Sequence, residues 1–180
     1  MSDFVFDVYR IDSDYEYKSV ESLFEEYNVI HWKPSIIRII PDGYSYKYVV
    51  HWLFHFLKIF KNKHYSAVLV YDNDKLISKM IVTPSYFKFP FMHDNEIQFT
   101  HSVTLDEYKG RGINTMVKYY IMNVVKKNNT SICGVVNPLN ESSVKVLKKL
   151  GMTYRFKVKR NYYKLVPFLF NLKVIEGIDD

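Results

Sequence analysis

The sequence predicts a mixed α/β domain, in which a sheet is flanked by helices. Runs in which apolar residues alternate with polar ones are interspersed with segments whose apolar residues recur every three or four positions, the periods of strands and helices respectively. A glycine-bearing turn at residues 104–115 lies between one such strand and the most regular helical segment. A chain of 180 residues buries one substantial core, so we expect a single domain over residues 1–180.

The N-terminal part of the chain predicts one strand and two helices. Alternation predicts the strand at residues 4–9, and the run Asp12-Ser13-Asp14 is a good cap for a helix at residues 15–27. An irregular aromatic segment, residues 31–46, contains prolines and a glycine. A second helix, apolar nearly all round, is predicted at residues 45–61.

The middle of the chain predicts strands. Residues 67–71 and 76–82 flank a polar turn and indicate a β-hairpin. Alternating phenylalanines predict a further strand at residues 87–91, and residues 96–105 form the strand that precedes the glycine-bearing turn.

The remaining elements follow from the same two periods. Apolar residues at three- and four-residue steps predict a long amphipathic helix that begins at Ile113. The elements predicted after it are a strand at residues 131–136, a helix at 141–150 closed by Gly151, and two strands at 155–159 and 168–174.

Composition narrows the class of protein. The net charge of +6 and the pI near 9.1 favour a polyanionic partner. The single cysteine, Cys133, lies in an apolar run, which favours a buried thiol in a reducing compartment. The N-terminus lacks the features of a signal peptide, and the apolar segment at residues 48–60 is too short for a membrane span, so we expect a cytoplasmic protein.

Several classes of site are not supported by the residues. His51 and His55 are one helical turn apart, but no glutamate follows the first histidine and no third ligand is near, so we predict no metal site. The chain has no serine-hydrolase elbow, zinc cluster or Walker loop, which excludes hydrolytic and nucleotide-cleaving functions of those types.

The turn Thr-Leu-Asp-Glu-Tyr-Lys-Gly-Arg-Gly-Ile-Asn-Thr, residues 104–115, has the pattern of a phosphate cradle. A glycine-bearing turn that opens a helix presents unpaired N–H groups at the positive end of the helix dipole, where an anion binds. The alternative is an ordinary strand-to-helix turn in which Gly110 and Gly112 serve only the chain geometry.

This turn resembles the (Gln/Arg)-x-x-Gly-x-(Gly/Ala) motif of the GNAT superfamily of acyl-CoA-dependent N-acyltransferases. A second motif of that family, Asn-x-x-(Ala/Ser) followed by Leu-Gly-Phe, is matched by Asn140, Ser143 and the run Leu150-Gly151-Met152. The order of elements is similar to the family's over nearly the whole chain. The resemblance implies a central, mostly antiparallel sheet that splays between its fourth strand, residues 96–105, and its fifth.

The resemblance implies acetyl-CoA as the cofactor. The turn would hold its pyrophosphate, and the strand before the turn would pair with its pantetheine arm. The implied cofactor-binding residues are Val103, Thr104, Leu105, Lys109, Gly110, Arg111, Gly112, Ile113, Asn114, Thr115, Asn140 and Ser143.

The turn departs from the family pattern at three positions. Asp106 replaces a frequent proline, Lys109 replaces Gln or Arg, and Asn114 replaces the final Gly or Ala. Lys109 keeps a cation beside the pyrophosphate, whereas Asn114 adds bulk there.

The resemblance implies transfer of an acetyl group to a primary amine by direct attack within a ternary complex. Glu96 and His101 are the candidate bases, and their odd separation points them to opposite faces of a regular strand unless a bulge intervenes. We favour His101, although a structural histidine is an alternative. The family's usual tyrosine acid falls at Leu147, so Tyr154 would have to replace it, the thiolate would leave unprotonated, or turnover would be slow.

The acceptor is expected to enter beside the first helices. Aromatic residues there suit a sugar ring, and basic residues suit a nucleotide, so an amino sugar or a nucleotide-linked amino sugar is the favoured acceptor. The residues that would line this cleft are His31, Trp32, Tyr44, Tyr46 and Tyr48.

Two other functions stay open. Leu147 and Asn114 also suit a non-catalytic acyl-CoA sensor. Basic and aromatic residues over 155–164 suggest a nucleic-acid binder, although a solvated basic strand face is the simpler interpretation. A monomer and a homodimer are both compatible with the sequence.

Overall fold

The computed structural model describes residues 5–16, 18–126, 129–163 and 166–177. Of two short 3-10 turns, Tyr46–Tyr48 precedes α2 and Asp106–Tyr108 lies within the glycine-bearing turn. The helices and strands are β1 (Val5–Ile11), α1 (Glu21–Glu26), β2 (Asn28–Trp32), α2 (Val49–Phe56), β3 (Ser66–Asp72), β4 (Lys75–Pro84), β5 (Ile97–Thr104), α3 (Ile113–Lys126), β6 (Ile132–Val136), α4 (Glu141–Lys149), β7 (Thr153–Tyr163) and β8 (Val166–Gly177).

The strands form one mixed sheet in the order β2-β3-β4-β5-β6-β1-β7-β8. Among the residues described, all neighbouring strands pair antiparallel except β5 and β6, which are parallel and pair only at Ile97 and Ile132. Beyond that pair the two strands diverge, because no further described residues of β5 and β6 pair. The predicted fold class is therefore confirmed, including the splay.

Two hydrophobic cores lie on the two faces of the sheet. One contains residues of α1, α3 and α4, among them Leu23, Ile121 and Leu147. The other is rich in aromatic side chains, including Tyr65 and Tyr86, against which Phe54 of α2 packs. The first core supports the glycine-bearing turn and the start of α4.

The predicted helix at residues 15–27 is wrong over its first part, because α1 contains only Glu21–Glu26. The side chain of Tyr15 is buried instead, and its hydroxyl donates to the carbonyl of Met122 at 2.5 Å. The N-cap residue of α1 is Val20, whose side chain makes no capping hydrogen bond, so the run Asp12-Ser13-Asp14 does not cap this helix.

Two further predictions need correction. The predicted irregular segment, residues 31–46, begins inside β2, which pairs along β3. The strand predicted at residues 87–91 is a pair of turns, because the N–H of Phe89 donates to Tyr86 at 2.9 Å and that of Met92 donates to Phe89 at 3.0 Å. These turns bury Phe89 in the aromatic core, so its burial has a different cause from strand alternation.

The other predicted elements are confirmed with shifted ends. The helix predicted at residues 45–61 stops at Phe56 and is followed by Lys58 with a φ of 57°. Among the described residues, no helix is long and apolar enough to cross a membrane.

Candidate active site

A cleft of about 580 Å³ lies between the end of β5, the glycine-bearing turn and the start of α4. Of the residues that the resemblance implied for the cofactor, all line this cleft except Leu105 and Arg111. The N–H of Leu105 donates to the carbonyl of Ile77 at 2.9 Å. The guanidinium of Arg111 lies 4.7 Å from the ring centroid of Tyr108.

The glycine-bearing turn has the geometry of an anion site. Gly110 and Gly112 have φ values of 81° and 79°, which favour glycine strongly, and a Cβ at either position would meet nothing within 4 Å. In the described chain, no protein acceptor binds the N–H groups of residues 110–114. Free donors and open space at the start of α3 fit a phosphate group.

Three lysines give this cleft a basic rim. Lys109 comes from the turn, and Lys145 and Lys149 come from one face of α4. Lys109 pairs with Asp106 at 2.5 Å, and Lys145 approaches Glu141 at 3.8 Å, both at exposed positions. Sequence reasoning missed the two α4 lysines, although their spacing of four residues indicated a shared helix face.

The second motif forms the start of α4. Asn140 caps the helix, with Oδ1 accepting from the N–H of Ser143 at 3.1 Å and from the hydroxyl of Ser142 at 2.9 Å. Gly151, with a φ of 83°, follows the helix end. Asn140 and Ser143 also line the cleft, so the cap places both motif residues at the site.

A smaller cavity of about 220 Å³ lies where β5 and β6 diverge. It adjoins the cleft, because residues such as Ser102, Asn114 and Ser143 line both. His101 and Leu147 line only this inner cavity. The cleft and the inner cavity thus form one continuous path, which leads from a basic, exposed opening to the titratable side chain of His101.

His101 lies on a β-bulge. The pairing of β5 with β4 shifts register between Lys79 and Ile81, where the chain of β5 gains a residue, and His101 has a φ of 49°. The hydroxyl of Tyr44 donates to the carbonyl of His101 at 3.1 Å, and the ring of Tyr48 lies 5.4 Å away edge-on. Partial burial, and then the charge of Lys88, lower the pKa of His101, so its imidazole is neutral near pH 7.

The bulge does not bring Glu96, the other candidate base, to the site. Its carboxylate is 2% exposed. Its Oε1 lies 2.8 Å from Arg10 Nε in an ion pair, and its Oε2 accepts from Arg10 Nη2 at 3.2 Å and from the N–H of His93 at 2.8 Å. Glu96 is thus one half of a buried ion pair and lines neither the cleft nor the inner cavity.

Tyr154 is also away from the site. Its ring packs edge-on against Tyr9 with centroids 5.9 Å apart, and it lines neither the cleft nor the inner cavity. Leu147, at the family's tyrosine position, does line the inner cavity. The prediction of Tyr154 as the acid therefore finds no support in the geometry.

Lys118 on α3 lines the inner cavity and was missed in the sequence. It is only 5% exposed. Its ammonium donates to Asn114 Oδ1 and lies 3.4 Å from Ser102 Oγ. Burial lowers the pKa of Lys118 to about 7. The signal was a lysine between apolar residues of α3, four positions after the unusual Asn114.

Aromatic residues lie on the other side of His101. Tyr44 and Tyr48 pack edge-on at 4.8 Å, and His51 stacks on Tyr48 at 5.4 Å. Lys88 is close enough to His51 and His101 to contribute to the lowering of both pKa values. No three metal-ligating side chains gather anywhere in the described part of the chain.

The other aromatic residues expected at the acceptor cleft lie elsewhere. His31 Nδ1 is 3.3 Å from the hydroxyl of Tyr120 on α3, and Trp32 packs edge-on against Tyr65 at 6.1 Å. Tyr46 is 77% exposed. Only Tyr44 and Tyr48 of the predicted set approach His101.

Three of the basic residues at 155–164 contact side chains of the same chain. Arg155 pairs with Asp12 at 3.9 Å, Lys157 pairs with Glu176 at 2.8 Å, and Arg160 lies over the ring of Phe170 at 4.8 Å. Lys164 lies outside the described residues. These contacts favour a structural role over nucleic-acid binding.

Comparison with known proteins finds likeness in fold. No protein-family model and no curated protein matches the sequence. A tandem GNAT protein from the clavulanic acid biosynthesis pathway matches with a TM-score of 0.59 at 13% identity, over 100% of this chain and 56% of that chain. A GCN5-related N-acetyltransferase-like protein from Streptococcus suis matches with a TM-score of 0.52 at 15% identity, over 87% of this chain and 61% of that chain.

A third solved structure is a GCN5-related glucosamine N-acetyltransferase region of a fungal multi-domain β-N-acetylglucosaminidase. It matches with a TM-score of 0.54 at 10% identity, over 86% of this chain and 20% of that chain. The chain thus spans less than two thirds of each of these structures. This protein has the GNAT fold, as the two motifs predicted, and at such identities the likeness establishes the fold alone.

Proposed function

We propose that the protein is an acyl-CoA-dependent N-acyltransferase that transfers an acetyl group from acetyl-CoA to a primary amine. The observation that carries this proposal is the path from the glycine-bearing turn to His101. It combines free N–H donors, a basic rim and a neutral imidazole in one opening of the sheet.

The residues of the cleft fit coenzyme A. The N–H groups of residues 110–114 and the lysines of the rim would hold its phosphates. In the described chain, the edge of β5 beyond Ile97 has no strand partner on the β6 side, so it is free to pair with the pantetheine amides. When bound, acetyl-CoA would supply the activated acyl group as a thioester.

His101 would act as the base that takes a proton from the acceptor amine. Its lowered pKa keeps it neutral at pH 7, and acidification below its usual value of 6.5 would progressively protonate it and lower the rate. We expect His101→Asn to lower kcat by about 10²-fold without changing coenzyme A affinity. Asn is chosen because it tolerates the positive φ at this position. An unchanged kcat in this variant would remove His101 as the base.

We further propose an amino sugar as the acceptor, preferably one linked to a phosphate or nucleotide. Tyr44 and Tyr48 beside His101 supply aromatic faces that suit a sugar ring. Lys88 near His101, and Arg160 near Lys88, supply positive charge that suits an anionic group on the acceptor. The fungal structure described as a glucosamine N-acetyltransferase shares the fold and is an analogy for this acceptor class.

Incubation with acetyl-CoA and a panel of amines, with thiol release as the readout, tests the proposal. We expect nucleotide-linked amino sugars to react faster than free amino sugars, and both to react faster than peptides or polyamines. Reaction of peptides or polyamines alone would refute the acceptor class. Coenzyme A binding without thiol release would instead support an acyl-CoA sensor, which Leu147 in the inner cavity favours. Absence of coenzyme A binding would refute both functions.

A further inference from the structure

Lys118 is a buried cation in the inner cavity that the proposed function does not yet use. Its side chain lies under the bulge of β5, where Asn114 Oδ1 and Ser102 Oγ are its hydrogen-bonding partners. The ring of Phe99 lies 5.9 Å from its ammonium. Burial of a lysine to 5% exposure costs free energy of folding unless its ammonium finds polar partners or loses its proton.

No carboxylate of the described residues offsets this cation. Lys118 forms no salt bridge in the described part of the chain, and burial alone accounts for its lowered pKa. Among the described residues that line the inner cavity, His101 is the one other titratable side chain. Lys145 and Lys149 line only the outer cleft.

The position of the cavity identifies which part of a bound thioester would face Lys118. The outer cleft has the free N–H groups and the basic rim that suit phosphates, so the reacting end lies inward, between the diverging strands. Leu147 lines this cavity and has no proton to give.

We propose that Lys118 donates the proton that the leaving sulfur of the acyl donor takes up, in place of the hydroxyl that Leu147 lacks. The inference rests on the proposed acyltransferase function. Asn114 and Ser102 would act as positioning residues, because each holds the ammonium from the side of the cavity that it lines. With a pKa of about 7, Lys118 can both give a proton and regain one near neutral pH.

The proposed step balances in atoms and charge. The acceptor nitrogen forms the C–N bond, and the C–S bond breaks with its electron pair passing to sulfur. Lys118 Nζ gives one proton to that sulfur, and the nitrogen gives one proton to His101. Exchange with water then returns Lys118 to an ammonium and His101 to a neutral imidazole, so amine and thioester become amide and thiol with no net proton change.

The first test measures binding and needs no acceptor. We compare coenzyme A with its desulfo analogue in wild type and in Lys118→Met, and follow thiolate formation of bound coenzyme A by ultraviolet absorbance against pH. A neighbouring ammonium favours the thiolate, so we expect the bound thiol to titrate at lower pH in wild type than in Lys118→Met. Affinity for the desulfo analogue should stay the same. Cys133 is fully buried with a raised pKa, so the protein's own thiol stays silent.

The second test uses turnover. Because the proton donor is lost as Lys118 deprotonates, we expect kcat of wild type to fall above pH 7. In Lys118→Met we expect kcat to be about 10²-fold lower and to show no such decline above pH 7. Lys118→Arg keeps the charge but cannot give up a proton at these pH values, so it should not restore kcat.

Distinct results would overturn the inference. Full kcat in Lys118→Arg would assign a purely electrostatic role. If the thiol of bound coenzyme A titrates at the same pH in wild type and Lys118→Met, Lys118 is only structural. The same conclusion follows if kcat of Lys118→Met still declines above pH 7. Failure of wild type to bind coenzyme A would instead refute the proposed function.

Discussion

Single residues that depart from the family pattern interact in pairs. Asp106, at a position where proline is frequent, pairs with Lys109 in the turn. Asn114, at a position usually occupied by Gly or Ala, accepts from Lys118 inside the cavity. Each departing residue thus contacts a partner side chain, and the second pair places the titratable Lys118 at the site.

Gly112→Ala tests whether the turn is a cofactor cradle. The positive φ costs about 1 kcal/mol of stability for a residue with a Cβ, and the new methyl meets nothing within 4 Å in the protein itself. It would, however, stand in the open space where the phosphates should lie. We expect a modest loss of stability and a loss of coenzyme A affinity of about tenfold or more, measured by thermal unfolding and calorimetry.

Gly151→Ala is the matched control for this substitution. It carries the same kind of strain, with a φ of 83°, and its Cβ would meet only Ile11 Cδ1 at 3.5 Å. Gly151 does not line the cleft. Equal losses of coenzyme A affinity in the two variants would mean that Gly112 serves chain geometry alone.

At the scale of elements, α4 carries two functions on one helix. Its first turn is closed by the Asn140 cap, which places Ser143 at the cleft. Its last turns carry Lys145 and Lys149 along the same side. The helix packs closely on β6, because a Cβ on Gly134 would lie 3.0 Å from Leu147 Cδ2. This tight contact fixes the lysines relative to the turn.

Lys149→Glu tests the basic rim. Reversal of one exposed charge on the rim that would hold the phosphates should weaken coenzyme A binding by about fivefold at low salt, and the effect should shrink as salt rises. Lys148→Glu is the matched control, because Lys148 lies in the same last turn of α4 but does not line the cleft. Titrations at two salt concentrations measure both. The same loss in both variants would indicate only a general field effect.

At the scale of the whole molecule, the aromatic core makes the fold sensitive to acid. His51 stacks on the rings of Tyr48, Phe60 and Tyr65, and its Nδ1 is buried without a hydrogen-bond partner. Burial, and to a smaller extent His101 and Lys88, lower the pKa of His51 to about 4 from 6.5. Between these values the unfolded chain binds more protons, so stability should fall as pH drops from 6.5 towards 4.

His51→Phe should reduce this acid sensitivity. The phenyl ring keeps the stacking and removes the unpaired nitrogen, so we expect a higher Tm and a weaker dependence of Tm on pH between 6.5 and 4. His93→Phe serves as the control, since His93 is exposed. Thermal unfolding of both variants across this pH window is the measurement. An unchanged slope in His51→Phe would assign the acid sensitivity to other groups.

The sequence predicts those parts of the molecule that local rules govern. The helix from Ile113, the helix closed by Gly151 and the glycines of the turn follow from periodicity, capping and backbone preference within a few residues. β2 does not, because its pairing with β3 joins segments far apart in the chain. The roles of Glu96 and Lys118 also depend on distant partners, Arg10 for the first and Ser102 for the second.

The short pairing of β5 with β6 has a mechanical consequence. In the part of the chain that the structure describes, the sheet is divided into two blocks, β2–β5 and β6–β8 with β1, whose strands pair with each other only at Ile97 and Ile132. A ligand whose amides pair with the unpaired edge of β5 would link the two blocks of the sheet. Such a ligand should therefore slow amide hydrogen exchange in β5 and β6 and raise Tm in proportion to the logarithm of its concentration above Kd.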